Sequence, residues 1–238
     1  MLIWMIAALC AYYVKGLCGF ANTLVFTSVL AFGSSNAGIS PVELLLSAPT
    51  NAIIAWRERR AIDARICLPL IAMVLLGSLP GALMLRSADT GLIKILFGAV
   101  IIFVSLDMLA REKTQPKAGG SGLMMAVIGV LSGVLCGLFG VGALLSAYVS
   151  RAAKDSHAFR ANMCAVFTAE NAFRIVVYAA SGLLTAQTVW CVVMLAPFML
   201  AGLFLGMRSA GRLDERRVRR LVMVMLMISG AALILQNL

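Results

Sequence analysis

Hydrophobic residues along this chain come in long runs parted by short polar connections. Apolar stretches cover roughly residues 1–32, 41–56, 66–85, 91–110, 122–149, 161–181, 186–207 and 217–236. A helix that crosses the hydrocarbon of a bilayer needs about 20 mainly apolar residues. The pattern therefore predicts eight membrane-embedded segments and no soluble domain. Two runs, 1–32 and 122–149, are too long for one crossing, since about 30 residues of straight helix extend about 45 Å across a core of about 30 Å. Each carries glycines near its middle, in KGLCGFANTLV (15–25) and SGVLCGLFGVGALL (132–145). The spacing predicts re-entrant broken helices there, each a pair of half-helices of about 13 residues that returns to the face it entered from.

Composition narrows the class and excludes several functions. The chain is 62% hydrophobic and 13% charged, with a mean hydropathy of +0.99, which is membrane-protein composition. The first run lacks a basic leader and a small-residue cleavage site, so it is expected to be retained. The six cysteines follow no zinc or redox spacing and are expected to pack as small hydrophobes. His157 is the lone histidine and is placed in a solvated loop, which argues against a metal centre or haem; no cofactor is expected. Paired aspartates and a second histidine are missing, which disfavours an enzyme acting on lipid-linked substrates. A G-x-x-x-x-G-K-[ST] motif is missing too, so energy must come from a gradient or a partner.

The net charge of +10 changes the topology rather than suggesting nucleic acid. Sixteen of the twenty basic residues lie in four loops: Arg57, Arg59, Arg60 and Arg65; Arg111, Lys113 and Lys117; Arg151, Lys154 and Arg160; and Arg208, Arg212, Arg216, Arg217, Arg219 and Arg220. Eight simple crossings would divide these loops between both faces. If the first and fifth runs re-enter, all four share the cytoplasmic face and the opposite loops keep only Arg86, as the positive-inside rule requires. The stretch GRLDERRVRR (211–220) is then expected to rest on anionic lipid.

The chain also resembles itself. GLCGF (16–20) matches VLCGL (134–138) at an offset of 118; PTNA (49–52) matches AENA (169–172) at 120, setting Asn51 opposite Asn171. Gly77 and Gly81 match Gly202 and Gly206, and IKIL (93–96) matches VRRL (218–221), both at 125. The expected fold is thus an all-α integral membrane protein built of two inverted repeats, residues 1–117 and 118–238. Each repeat is one re-entrant broken helix plus three transmembrane helices. Repeat one holds the re-entrant run 1–32 and spans 41–56, 66–85 and 91–110; repeat two holds 122–149 and spans 161–181, 186–207 and 217–236. Secondary transporters share this plan, with sites where broken helices meet.

With its paired glycine motifs at 15–25 and 132–145, and HAFRAN (157–162) leading into the sixth run, the chain resembles the sulfite exporter TauE/SafE family over nearly its whole length. Ala21 stands where that family often has a further glycine, and Ser28 and Ser146 stand near positions where it has proline. The resemblance implies a multi-pass protein of the cell (inner) membrane that moves small sulfur-containing anions such as sulfite or organosulfonates, coupled to an ion gradient.

Candidate site residues follow from the cost of polar groups in hydrocarbon. Half-helix N-termini favour anions, which directs attention to Gly19, Gly137, Gly140 and Gly142, whose other reading is close helix packing. That packing reading is preferred for Gly77, Gly81, Gly202 and Gly206. Asn22 and Thr23 are candidates for capping the half-helix or for binding the ligand directly. Lys15 either joins the site or snorkels to the interface. Arg174 either binds an oxyanion through its planar fork or pairs with Glu170 one turn earlier. In the first case Glu170 is a proton-coupling carboxylate. Asn51 and Asn171 offer amide donors, or bond helix to helix. Glu43 and Asp107 fall near run ends and are expected to be interfacial. The partners expected are a small anionic substrate, membrane lipids and a coupling proton, with a homodimer left open. A passive anion channel is the alternative function.

Overall fold

The structure is a computed structural model that describes residues 1–18, 21–30, 33, 36–87, 122–139, 153 and 156–209. It also describes isolated positions between 92 and 106, at 145 and 149, and between 223 and 235. The protein is an all-α membrane protein. Its helices are α1 (Leu2–Cys18), α2 (Asn22–Leu30), α3 (Asn36–Arg57), α4 (Ala64–Ser87), α5 (Gly122–Phe139), α6 (Ser156–Ala180) and α7 (Ala186–Ser209), with a 3-10 turn at Arg59–Ala61. Among the described residues, α3, α4, α6 and α7 each contain a stretch long and apolar enough to cross a membrane. The predicted spans 91–110 and 217–236 lie largely outside the described residues.

Local chemistry fixes the helix ends. Asp63 caps α4: its carboxylate accepts the Arg65 N–H at 2.9 Å, and its own N–H donates to Asn162 Oδ1 at 2.8 Å. The same Asn162 oxygen accepts from Cys67 Sγ at 3.1 Å, so α6 holds the start of α4. Asn162 closes the HAFRAN stretch, and its task here is structural. Apolar side chains on α7, among them Trp190, Val193, Leu200 and Phe204, are exposed as a lipid-facing surface requires. Only 22% of the α7 window is buried against 61% for α3, so α7 presents the larger face to lipid.

The first run is broken as its length demands. Helix α1 stops at Cys18, α2 starts at Asn22, and between them Ala21 takes φ +72°, a left-handed conformation that favours glycine. The chain then turns back. The Trp4 and Phe26 rings lie 5.9 Å apart, edge to face, whereas a straight helix would separate those residues by about 33 Å. In the run 122–149, α5 ends at Phe139; Gly140 and Gly142, like Gly19, lie outside the described residues.

The helices group into two compact units that cut across the sequence halves. Unit 1 takes Met1–Glu43, Ala88–Gln115 and Ala186–Leu238; unit 2 takes Leu44–Ser87 and Pro116–Thr185. In unit 1, α1 packs on α7, and in unit 2, α4 packs on α5. Both contacts depend on glycine letting backbones touch. A Cβ on Gly202 would run into the Leu9 carbonyl and one on Gly206 into that of Tyr13; Gly77 and Gly81 face Val130 and Val134 in the same way.

The clearest correspondence lies one step further. A Cβ on Gly16 would sit 2.7 Å from Met207 N and 2.9 Å from Gly206 C. One on Gly137 would sit 2.6 Å from Ala82 N and 2.9 Å from Gly81 C. Packing therefore equates Gly16 with Gly137, while the LCG match had set Gly19 against Gly137. The register is 121 for α1 and α5 rather than 118, and 125 for α4 and α7 as the sequence indicated. An apolar three-letter match carries little information, whereas a backbone contact at a glycine admits one register. Gly137 thus serves helix packing within unit 2.

Candidate functional site

In unit 1 the polar centre gathers at the break between α1 and α2. Lys15, in the last turn of α1, is 1% exposed; snorkelling is excluded, and its Nζ lies 5.7 Å from the centroid of the Tyr12 ring. Helix α2 opens with Asn22 and Thr23. The first four N–H groups of a helix lack partners within it and its dipole favours negative charge there. A carboxylate occupies that place. Asn22 Nδ2 donates to Glu43 Oε1 at 2.8 Å, and Thr23 Oγ1 donates to the same oxygen at 2.7 Å. Glu43 is 2% exposed, which corrects its expected interfacial position. The helix carrying it begins at Asn36, not near residue 41, and this places Glu43 two turns inside.

Buried polar groups without partners occur on both α1 and α2. The buried Tyr12 hydroxyl lies near Asn22 and feels the Glu43 charge, yet makes no hydrogen bond of good geometry. Thr27 and Ser28 on α2 are also buried with hydroxyls that lack partners. Buried polar atoms are nearly always satisfied, so three such hydroxyls on this pair of helices call for a reason.

In unit 2 a different centre forms, mostly on α6. Arg174 is 1% exposed and its Nε lies 3.5 Å from Glu170 Oε1, the one-turn ion pair the spacing allows. Ser78 Oγ donates to that carboxylate oxygen at 3.1 Å. Arg174 Nη2 donates to the Tyr178 hydroxyl at 2.8 Å, with the guanidinium 5.0 Å from the ring centroid. The Tyr178 hydroxyl in turn donates to the Gly137 carbonyl at 2.9 Å. That carbonyl belongs to the last turn of α5, where carbonyls lack helical partners, so the chain from Glu170 to Tyr178 also caps α5. Asn171 Nδ2 reaches Ser47 Oγ at 3.5 Å, and Asn51 is buried one turn further along α3.

The expected residues thus divide. Lys15, Asn22 and Thr23 belong to unit 1, where Asn22 and Thr23 share one Glu43 oxygen; Asn51, Gly137, Glu170, Asn171 and Arg174 belong to unit 2. Sequence reasoning missed Tyr12, Glu43, Ser47, Ser78 and Tyr178. Tyr178 was within reach, since it follows Arg174 by one helical turn. Glu43 was not, because its depth depends on where α3 begins. His157 sits in the first turn of α6, exposed, with Nδ1 3.8 Å from Glu58 Oε2. Among the described residues no group of histidine, cysteine and carboxylate could hold a metal ion.

Buried charges beside a broken helix are the arrangement expected of a solute-translocating membrane protein. The particular family follows from a match of the Sulfite exporter TauE/SafE model to residues 4–233, and the chain belongs to that family. It is a membrane transport protein for sulfur-containing anions. Nothing among curated proteins or solved structures matches the chain.

Proposed function

We propose that the protein is a multi-pass secondary transporter of the cell inner membrane. It moves a small sulfur-containing anion, of the sulfite or organosulfonate type, by alternating access coupled to a proton gradient. The observation that carries this reading is Lys15, a lysine buried to 1% exposure at a break in a membrane helix, with the N-terminus of α2 beside it. The anion is held by Lys15, Asn22, Thr23 and the first N–H groups of α2, a donor set suited to a compact oxyanion. The unit 2 centre takes a supporting role. Arg174 is engaged by Glu170 and Tyr178, which favours the ion-pair reading of that residue over the oxyanion one, and Asn171 on α6 reaches Ser47 on α3.

Proteoliposomes containing the wild type should take up sulfite or a small alkanesulfonate with saturating, carrier-like rates. Lys15→Met should lower the initial rate about tenfold or more, the worth of a hydrogen bond to a charged group, while Lys15→Arg retains much of it. Unchanged uptake in Lys15→Met, with the protein folded, removes the break as the site; non-saturating conductance would favour a channel.

A further inference from the structure

We infer that Glu43 is an internal competitor for the transported anion, and that its protonation couples transport to one proton. This rests on the anion site proposed at the α2 break. The side chains best placed to receive a substrate oxyanion, Asn22 and Thr23, already donate to a carboxylate oxygen of the protein, at 2.8 and 2.7 Å. Glu43 presents there the charge, planar oxygens and acceptor chemistry that a sulfite or sulfonate would bring. Two anions cannot share the same two donors and one helix N-terminus, because like charges in a region of low dielectric repel strongly. The substrate is admitted only when Glu43 gives up its charge. A protonated carboxyl is a poor rival for those donors, and it carries the proton with the anion.

The surroundings suit that exchange. Facing Glu43 are Tyr12 from α1, and Asn22 and Thr23 from α2, which brings no titratable group; Lys15 lies over the Tyr12 ring, its Nζ 5.7 Å from the centroid. Helix α7, packed on α1, carries Arg208, which is exposed, and Cys191. Lys15, buried against Tyr12, is the cation that α1 brings to the proposed site. The Tyr12, Thr27 and Ser28 hydroxyls, buried without partners, are further donors with no task in the arrangement Glu43 makes. Their presence separates a ligand site from a plain helix cap, which would need only Asn22, Thr23 and the carboxylate.

The test uses the full chain in proteoliposomes and methanesulfonate, whose own charge does not change between pH 5.5 and 8.5. Binding is read by the shift in thermal unfolding, and transport by radiolabel uptake with and without an imposed membrane potential. In the wild type, affinity should weaken by up to about tenfold per pH unit as Glu43 ionises, the slope expected for one linked proton. Uptake of one anion with one proton should be insensitive to the potential. In Glu43→Gln the pH slope should vanish and uptake should become electrogenic, while Glu43→Asp restores part of the slope. Binding in the wild type with the same slope and the same electroneutral uptake in Glu43→Gln overturns the role of Glu43 but leaves the anion site intact. No binding of methanesulfonate or sulfite by either protein at any pH overturns the site as well.

Discussion

The two compact units use one helix-packing scheme and fill it with different chemistry. In unit 1, Gly16 meets α7 with the contacts that Gly137 makes with α4 in unit 2. In unit 2 the opposite charges sit one turn apart on α6, and their hydrogen bonds run on to a helix-end carbonyl. Two residues on the same helix stay together however that helix moves, so the Glu170–Arg174 pair acts as a strut. In unit 1 the carboxylate of Glu43 reaches from α3 to donors on α2. Partners on separate helices can part, and a bond that can be exchanged is what a transport site needs. The glycine packing recurs in both units, but the charges share one helix in unit 2, whereas the Glu43 carboxylate bonds to another helix in unit 1.

The sharpest way to break this contrast is to remove the strut. Arg174→Ala leaves a buried, unpaired Glu170 and should destabilise the protein by about 3–5 kcal/mol, against a small effect for Glu43→Gln. Thermal unfolding in detergent measures both, and adding Glu170→Gln to Arg174→Met should recover most of the loss. Equal sensitivity at the two centres would show that unit 1 is also a strut.

A second prediction concerns the shared packing. Gly16→Ala and Gly137→Ala each push a methyl into backbone and should each cost about 1–3 kcal/mol, while Gly33→Ala, with open space around it, should be neutral. Unfolding midpoints that fall alike for the first two sharpen the 121 register. A large cost at Gly137 with none at Gly16 would break it.

The smallest expected effect lies at the turn. Ala21 holds φ +72°, which costs an L-residue about 1–2 kcal/mol, so Ala21→Gly should stabilise by about 1 kcal/mol, net of glycine's extra chain entropy. A raised midpoint confirms a left-handed residue at the break; a lowered one contradicts it.

Much of the fold was legible in the pattern of residues, because insertion into a bilayer is a local property of about 20 residues at a time. The length of run 1–32 required a break, and the structure ends α1 at Cys18 and starts α2 at Asn22. Gly77, Gly81, Gly202 and Gly206 were read as packing glycines, and each faces a neighbouring backbone. Helical spacing offered the Glu170–Arg174 pair as one of two readings, and the two side chains lie 3.5 Å apart. Lys15 was visible as a charge beside the broken segment, but its burial was not.

The sequence by itself determined the class of protein, the position of its first broken helix and the spacing-bound ion pair, since each follows from transfer energy or from helix periodicity. Only the tertiary structure decided that α1 pairs with α7 and α4 with α5, in a register three residues from the apparent motif match, and that Glu43 lies on Asn22 and Thr23. Helix partners in lipid are chosen by the fit of small-residue faces and by polar bonds between distant segments, and neither is written in any one run of residues.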